Sequence, residues 1–212
     1  MDNLNKIMCL PLGALASNCY IIPSEGQTAV VIDPASSAEV EAVLDSRELT
    51  LGGIVVTHGH FDHFAGVAAL TREFDVPVFA PDLDLEMFQS ESKSWAWFMQ
   101  GTPFAPITPD YPFSDGQEFV AGGVRFRVMG APGHTAGSCL LFCEDYGVIF
   151  TGDVLFQGGI GRTDGFSGSE SMQLESLRKI LGINGDYKLL CGHGESTTLQ
   201  EEKTYNPYLR NL

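Results

Sequence analysis

The chain is constrained most by a run of three histidines and an aspartate, Thr57-His58-Gly59-His60-Phe61-Asp62-His63. The run follows a predicted buried strand over residues 54–56 and precedes a predicted helix over about residues 62–74, so it occupies a strand-to-helix turn. Three imidazoles and a carboxylate this close together cannot all enter a dry core, because unpaired polar groups are costly to bury. The fold must therefore gather them at a polar site or spread them over a surface.

The rest of the chain favours one polar site. The other two histidines, His134 and His193, each have a glycine before them and follow a predicted strand. Asp153 follows Gly152 after the predicted strand over residues 148–150 in the same way. Residues that leave the same ends of neighbouring strands converge in space. A structural role is a fair alternative for any one of these three residues, but the set together predicts a cluster.

The cluster has the composition of a metal site. Its members are His58, His60, Asp62, His63, His134, Asp153 and His193. Seven ligands are too many for one tetrahedral ion and suit two divalent ions, with zinc favoured and iron or manganese as alternatives. No cysteine belongs to the set, which favours a catalytic site over a structural zinc site. Two ions that share a water would lower its pKa to about 7 and so create a nucleophile.

Composition argues against several other classes of protein. The formal net charge is −15 and only 12 residues are Lys or Arg, so a nucleic-acid partner is not expected. No apolar run approaches the ~20 residues that span a bilayer, and the first residues lack the pattern of a signal peptide. We expect a cytoplasmic protein without a membrane partner. Its length of 212 residues suits a single domain over residues 1–212.

Apolar strands dominate the pattern, with helices in both halves. This predicts two antiparallel or mixed sheets with helices on the outside. The five cysteines are scattered, and buried free thiols are the expected outcome. The irregular, aromatic-rich residues 87–113 predict either local packing or an oligomer contact, or else a wall or lid over the active site.

Over nearly its whole length the chain resembles the metallo-β-lactamase fold superfamily, and within it the short glyoxalase II-like thioesterases. The resemblance rests on the His-x-His-x-Asp-His motif and on Ser17-Asn18-Cys19-Tyr20, Asp33-Pro34, Gly133-His134-Thr135-Ala136-Gly137-Ser138, Thr151-Gly152-Asp153-Val154-Leu155-Phe156, Gly161-Arg162-Thr163-Asp164, Gly192-His193-Gly194 and Asn206-Pro207-Tyr208. It implies an α+β fold, a four-layer αββα sandwich with the metals at one edge of the two sheets.

The resemblance also implies roles for individual residues. It places His58, His60 and His134 on the first metal, Asp62, His63 and His193 on the second, and Asp153 between them. Asp62 would in addition orient the metal-bridging hydroxide as a catalytic residue. Asp33 would orient a ligand or its loop, although a strand-ending turn ahead of Pro34 explains it equally well. Arg162 would anchor a substrate carboxylate, and a surface ion pair is an equal alternative.

The function implied is hydrolysis of a small thioester of the hydroxyacylglutathione type. Full-length glyoxalase II enzymes have an additional C-terminal helical domain that helps to hold glutathione, and this chain ends soon after His193. The acidic net charge does not favour an anionic substrate either. The main alternative is a mononuclear iron persulfide dioxygenase, which shares the fold and most of the motif. A nuclease fits the charge poorly, and a non-catalytic zinc module fits the complete ligand set poorly.

Overall fold

The computed structural model describes residues 6–99 and 101–212, and two six-stranded sheets form its centre. The first sheet follows chain order: β1 Met8–Leu12, β2 Ser17–Pro23, β3 Thr28–Ile32, β4 Thr50–Val55, β5 Val78–Pro81 and β6 Tyr111–Phe113. β1 to β3 pair antiparallel, and β3 to β6 pair parallel. The sheet is therefore mixed, as the sequence predicted.

The second sheet is antiparallel except at one strand pair. Its strands are β7 Glu118–Ala121, β8 Val124–Gly130, β9 Cys139–Cys143, β10 Val148–Gly152, β13 Lys188–Cys191 and β14 Thr197–Thr198, in the order β14-β13-β10-β9-β8-β7. β11 Leu155–Phe156 and β12 Gly159–Ile160 form a separate two-stranded ribbon. β10 and β13 pair parallel, so both strands end at the same edge of the sheet.

Helices cover the outer face of each sheet. They are α1 Ser37–Ser46, α2 Val67–Phe74, α3 Leu85–Phe88, α4 Glu170–Leu181 and α5 Leu199–Tyr205. α1 and α2 pack on the first sheet through Leu44 and Leu70, and α4 packs on the second through Leu177. None of the helices in the described residues combines the length and apolar composition that a bilayer crossing requires.

Each sheet packs on its helices through one apolar layer, and a further apolar layer lies between the two sheets. In β3, Val30 and Ile32 contact the layer between the sheets, while Ala29 and Val31 face the helices. Because both faces of the strand are buried, it reads as a continuous apolar run rather than an alternating one. The predicted α+β, αββα sandwich is confirmed.

Some local predictions were wrong. The helix expected over residues 62–74 begins only at Val67, because residues Phe61–His63 form a separate 3-10 turn that directs Asp62 and His63 into the polar cluster and Phe61 into the apolar core. β6, β7, β14 and the ribbon strands β11 and β12 were not predicted. β6 contains a proline, which is tolerated at a sheet edge. All five cysteines are free, as expected, but Cys9 is exposed because it lies on the edge strand β1.

Candidate metal centre

The seven predicted ligands converge at one end of the sandwich. His58 and His60 follow β4 of the first sheet, and Asp153 and His193 follow the parallel strands β10 and β13 of the second. His134 lies on the loop between β8 and β9. The side chains of the cluster are buried or nearly so, apart from partly exposed His193.

Three overlapping groups of side chains have the spacing of metal ligands. They are His58, His60 and His134; His58, His63 and Asp153; and Asp62, His63 and His193, with the ligand atoms of each group within 4.8 Å of one another. The first and third groups are the two sets that the family resemblance implied. Asp153 lies between them, with carboxylate oxygens 3.4 Å from His134 Nε2 and 3.5 Å from His63 Nε2 and His193 Nε2.

The donor atoms fit divalent cations. His58 Nε2 and Asp153 Oδ1 are buried and have no hydrogen-bond partner among the described residues, whereas proteins pair nearly all buried polar atoms. Ring nitrogens also face each other: His60 Nδ1 lies 2.8 Å from His134 Nε2, and His63 Nε2 lies 3.3 Å from His193 Nε2. A cation between such pairs would satisfy all these atoms.

The electrostatics of the cluster agree with this interpretation. Burial, reinforced by neighbouring imidazoles, holds the pKa of His58 and His60 well below the usual range, so both rings are neutral and offer a lone pair. Burial also opposes charge on His63, but Asp62 and Asp153 outweigh it and raise its pKa to about 10. The carboxylates therefore create a field that favours a positive charge at this position.

Hydrogen bonds outside the cluster fix the orientation of four rings. In each of these rings, Nδ1 contacts an oxygen. The oxygen is Thr57 Oγ1 for His58 (3.0 Å), Asp33 Oδ2 for His63 (3.0 Å), the Arg162 carbonyl for His134 (2.7 Å) and the Leu15 carbonyl for His193 (3.2 Å). Each contact leaves Nε2 directed at the cluster, which is how proteins fix the tautomer of a metal-binding histidine.

Asp33 both ends a strand with a turn and orients the loop of a predicted ligand. Its backbone has a φ of 51°, so it forms a turn after β3. Its carboxylate also accepts from the Thr57 amide and hydroxyl, both at 2.7 Å, as well as contacting His63. The turn therefore places a carboxylate that holds the start of the histidine motif.

Asp84 is a site residue that sequence reasoning missed. It is fully buried, and its carboxylate accepts from the Gly59 amide (2.8 Å), the Thr135 hydroxyl (2.7 Å) and the Gly137 amide (2.8 Å). One side chain thus joins the loop of His58 and His60 to the loop of His134. The sequence carries little signal for Asp84, because it comes three residues after β5, in a short 3-10 turn, and not directly after the strand as Asp33 does.

Ser17, in the motif Ser17-Asn18-Cys19-Tyr20, contacts two of the predicted ligands. Its hydroxyl donates to Asp62 Oδ2 at 2.7 Å, and its backbone forms an isolated antiparallel bridge to His193. The start of β2 therefore fixes one predicted ligand through its side chain and another through its backbone.

The aromatic segment, residues 87–113, both packs locally and forms a wall beside the site. Phe88 and Met99 belong to the apolar core under α2. The ring of Trp95 stacks on His60 with 4.6 Å between centroids and 10° between planes, and its backbone has a φ of 60°. A bulky residue in this strained conformation is typical of a functional position.

Arg162 forms an ion pair in the structure. Its guanidinium makes two hydrogen bonds to Asp164, at 2.6 and 2.7 Å, and lies 4.7 Å from the centre of the Trp95 ring. Of the two alternatives for Arg162, this is the surface ion pair, although the side chain still borders the groove beside the cluster.

Known proteins resemble this chain in sequence and in fold. The sequence model of the Metallo-beta-lactamase superfamily matches residues 12–193. Hydroxyacylglutathione hydrolase GloC of Haemophilus influenzae is 35% identical over 211 residues, which cover 97% of this chain and 99% of that protein.

Solved structures of other proteins share the fold of this chain. BLEG-1 B3 metallo-beta-lactamase superposes with a TM-score of 0.89 at 32% identity, covering 96% of this chain and 99% of that one. TTHA1623 in a di-iron-bound form gives 0.85 at 31%, covering 95% and 100%. ETHE1 from Myxococcus xanthus gives 0.73 at 27%, covering 95% and 83%.

Proposed function

The chain belongs to the metallo-β-lactamase superfamily, and from that premise we propose that it is a metal-dependent hydrolase of small thioesters of the hydroxyacylglutathione type. The observation that carries the proposal is the convergence of seven imidazole and carboxylate side chains into overlapping groups that suit two neighbouring cations. The likeness to a hydroxyacylglutathione hydrolase over nearly the full length supports a thioester as the substrate.

The ligand sets follow from the grouping of the side chains. His58, His60 and His134 would hold one ion, Asp62, His63 and His193 the other, and Asp153 would contact both. Zinc is the expected metal, with iron or manganese as alternatives. Bound there, such ions would polarise a carbonyl oxygen and lower the pKa of a bound water.

Asp62 would orient the attacking water. Burial opposes ionisation of its carboxyl, but the charge of His63 and hydrogen bonds from His193 and Ser17 outweigh burial and hold the pKa of Asp62 well below its usual range. The group is therefore an ionised acceptor at neutral pH. A carboxylate held in place by Ser17 can accept a hydrogen bond from the water and aim its lone pair at the substrate.

The persulfide dioxygenase is the second candidate, and a specific likeness favours it. ETHE1, a persulfide dioxygenase, shares the fold at 27% identity, and TTHA1623 binds iron. Histidines and aspartates ligate iron as well as zinc, so the ligand residues do not separate the two activities.

The test compares activities on protein whose metal content is known. Protein purified without chelator is analysed for zinc, iron and manganese, and then assayed with S-D-lactoylglutathione, with glutathione persulfide under oxygen monitoring, and with a chromogenic β-lactam. Asp153→Ala is the matched negative control, because it removes the residue between the two ligand sets.

We expect thioester cleavage that Asp153→Ala abolishes. Oxygen uptake with the persulfide, together with no thioester cleavage, would replace the hydrolase by the dioxygenase. Cleavage of the β-lactam alone would also refute the thioester as substrate.

A further inference from the structure

The groove beside the predicted ligands is apolar. Its cavity volume is about 410 Å³, within the usual range for small-ligand sites. Apart from predicted ligands, its walls are Leu15, Trp95, Phe98, Met99, Phe156, Gly161 and Arg162. Leu15 and Phe98 remain 51% and 61% exposed and border the same groove, and a contiguous exposed apolar patch of this kind marks a binding site.

Among the described residues, Arg162 is the one charged wall residue outside the predicted ligand set, and its charge is paired. Asp164 accepts both of its hydrogen bonds, and the hydrogen bond from Arg162 lowers the pKa of Asp164 to about 2. The pair is therefore fully ionised at neutral pH and has no net charge. The guanidinium carbon also lies 4.7 Å from the centre of the Trp95 ring, so the charged end of Arg162 contacts an aromatic wall of the groove as well as Asp164.

Lys93, a cation of the aromatic segment, is also paired. Lys93 pairs with Glu86 and lies 4.7 Å from the centre of the Phe166 ring. Lys93 does not border the groove. Within the described residues, the walls thus offer apolar contacts but no unpaired cation.

From these walls we propose that the groove selects thioesters whose acyl and thiol groups are neutral and apolar, and that glutathione thioesters are inferior substrates. Glutathione carries carboxylates at both ends, and a carboxylate against Trp95, Phe98 or Phe156 would lose hydration without gaining a partner. Apolar groups gain by burial against the same side chains. The inference rests on the proposed thioesterase activity and ranks its substrates: glutathione thioesters are cleaved, but neutral and apolar thioesters are cleaved more efficiently.

The test is a matched series of substrates. Thioesters of N-acetylcysteamine, a neutral thiol, are compared with glutathione thioesters that carry the same acyl groups, from acetyl to hexanoyl. We expect kcat/KM to rise about two- to fourfold for each added methylene until the groove is filled. We also expect the neutral thioester to exceed the glutathione thioester at each acyl length. A flat acyl series or a preference for glutathione would overturn the inference.

Asp164→Asn tests the role of the ion pair. The change frees the Arg162 guanidinium, so we expect kcat/KM for glutathione thioesters to rise about two- to fivefold relative to the neutral series. Glu86→Gln is the control, because it frees Lys93 outside the groove and should leave the ratio unchanged. An unchanged ratio in Asp164→Asn, or an equal rise in Glu86→Gln, would contradict the role of Arg162.

Direct binding separates this inference from the proposed function. The chain has two tryptophans, Trp95 and Trp97, so a Trp97→Phe variant reports from the groove alone. Uncleavable hexyl thioethers of N-acetylcysteamine and of glutathione are titrated against its fluorescence. Tighter binding of the neutral thioether supports the groove's selectivity even if the metal-loaded protein cleaves no thioester, an outcome that would refute only the hydrolase. Tighter binding of the glutathione thioether overturns the selectivity whatever the activity.

Discussion

Replacing Asp84 should loosen the predicted metal centre without touching a predicted ligand. Asp84→Ala removes the acceptor of three hydrogen bonds, from Gly59, Thr135 and Gly137. The Thr135 hydroxyl can turn to Ser138 Oγ, which is 2.8 Å away, but the two amides are left unpaired. Each buried unpaired donor costs about 1–3 kcal/mol, so the gross loss is about 2–6 kcal/mol.

Relief of a buried charge offsets part of this loss. Burial raises the pKa of Asp84 although its three donors oppose the shift, so the ionised carboxylate is not at its most stable in the fold. We therefore expect a net loss of about 2–4 kcal/mol, which a domain with a stability of about 5–15 kcal/mol survives. Affinity for metal should fall about 10- to 100-fold, because the two ligand loops are no longer joined.

Urea unfolding of the metal-free protein measures the first effect, and titration against a competing chelator measures the second. Asp82→Ala is the matched control: Asp82 lies in the same 3-10 turn and accepts from Ser114, away from both ligand loops. We expect it to cost less than about 1 kcal/mol and to leave the metal affinity unchanged. Equal effects of the two substitutions, or normal metal affinity in Asp84→Ala, would refute the reasoning.

Three further outcomes follow from the site. Protein purified without chelator should contain about two metal ions per chain; a plateau at one ion after reconstitution with zinc or iron would contradict the binuclear site. Asp62→Ala should lower kcat about 100-fold while the unfolding midpoint changes little, and near-normal turnover would show that Asp62 does not position the nucleophile. Gly192→Ala should weaken metal binding about tenfold or more, because its Cβ would lie 2.2 Å from Asp153 Oδ1. Gly159→Ala, whose Cβ would meet Phe156 only at 3.9 Å, is the control for the chelator titration.

The predicted ligands could be found from the sequence because their chemistry is visible in it. A histidine triplet beside an aspartate has few stable places in a fold, and three later residues repeat the pattern of a strand followed by glycine and a polar side chain. The structure brings all seven together. The strand-rich pattern predicted two sheets with helices on the outside, and the family resemblance added the αββα sandwich with the site at one edge of the sheets. Periodicity alone could not orient strands such as β3, because they are buried on both faces.

Asp84 and Trp95 could not be found in this way. The hydrogen bonds of Asp84 join residues 25 to 53 positions away, and a single buried aspartate looks the same in sequence as any turn residue. Trp95 lies in an irregular segment that follows neither the helical nor the strand period, so only the contact with His60 reveals its place. Both act through tertiary packing, which local patterns do not encode.

The glycines that precede His134 and His193 occupy positions where a side chain does not fit. A Cβ on Gly192 would also lie 2.9 Å from His63 Cε1, and one on Gly133, at a φ of 149°, would lie 2.5 Å from the Cα of Gln173. Real Cβ atoms do not approach so closely, so only glycine lets the backbone come this near. Glycine therefore repeats before His134 and His193 because the loops that carry these two histidines are packed too closely against the rest of the site to leave room for a Cβ.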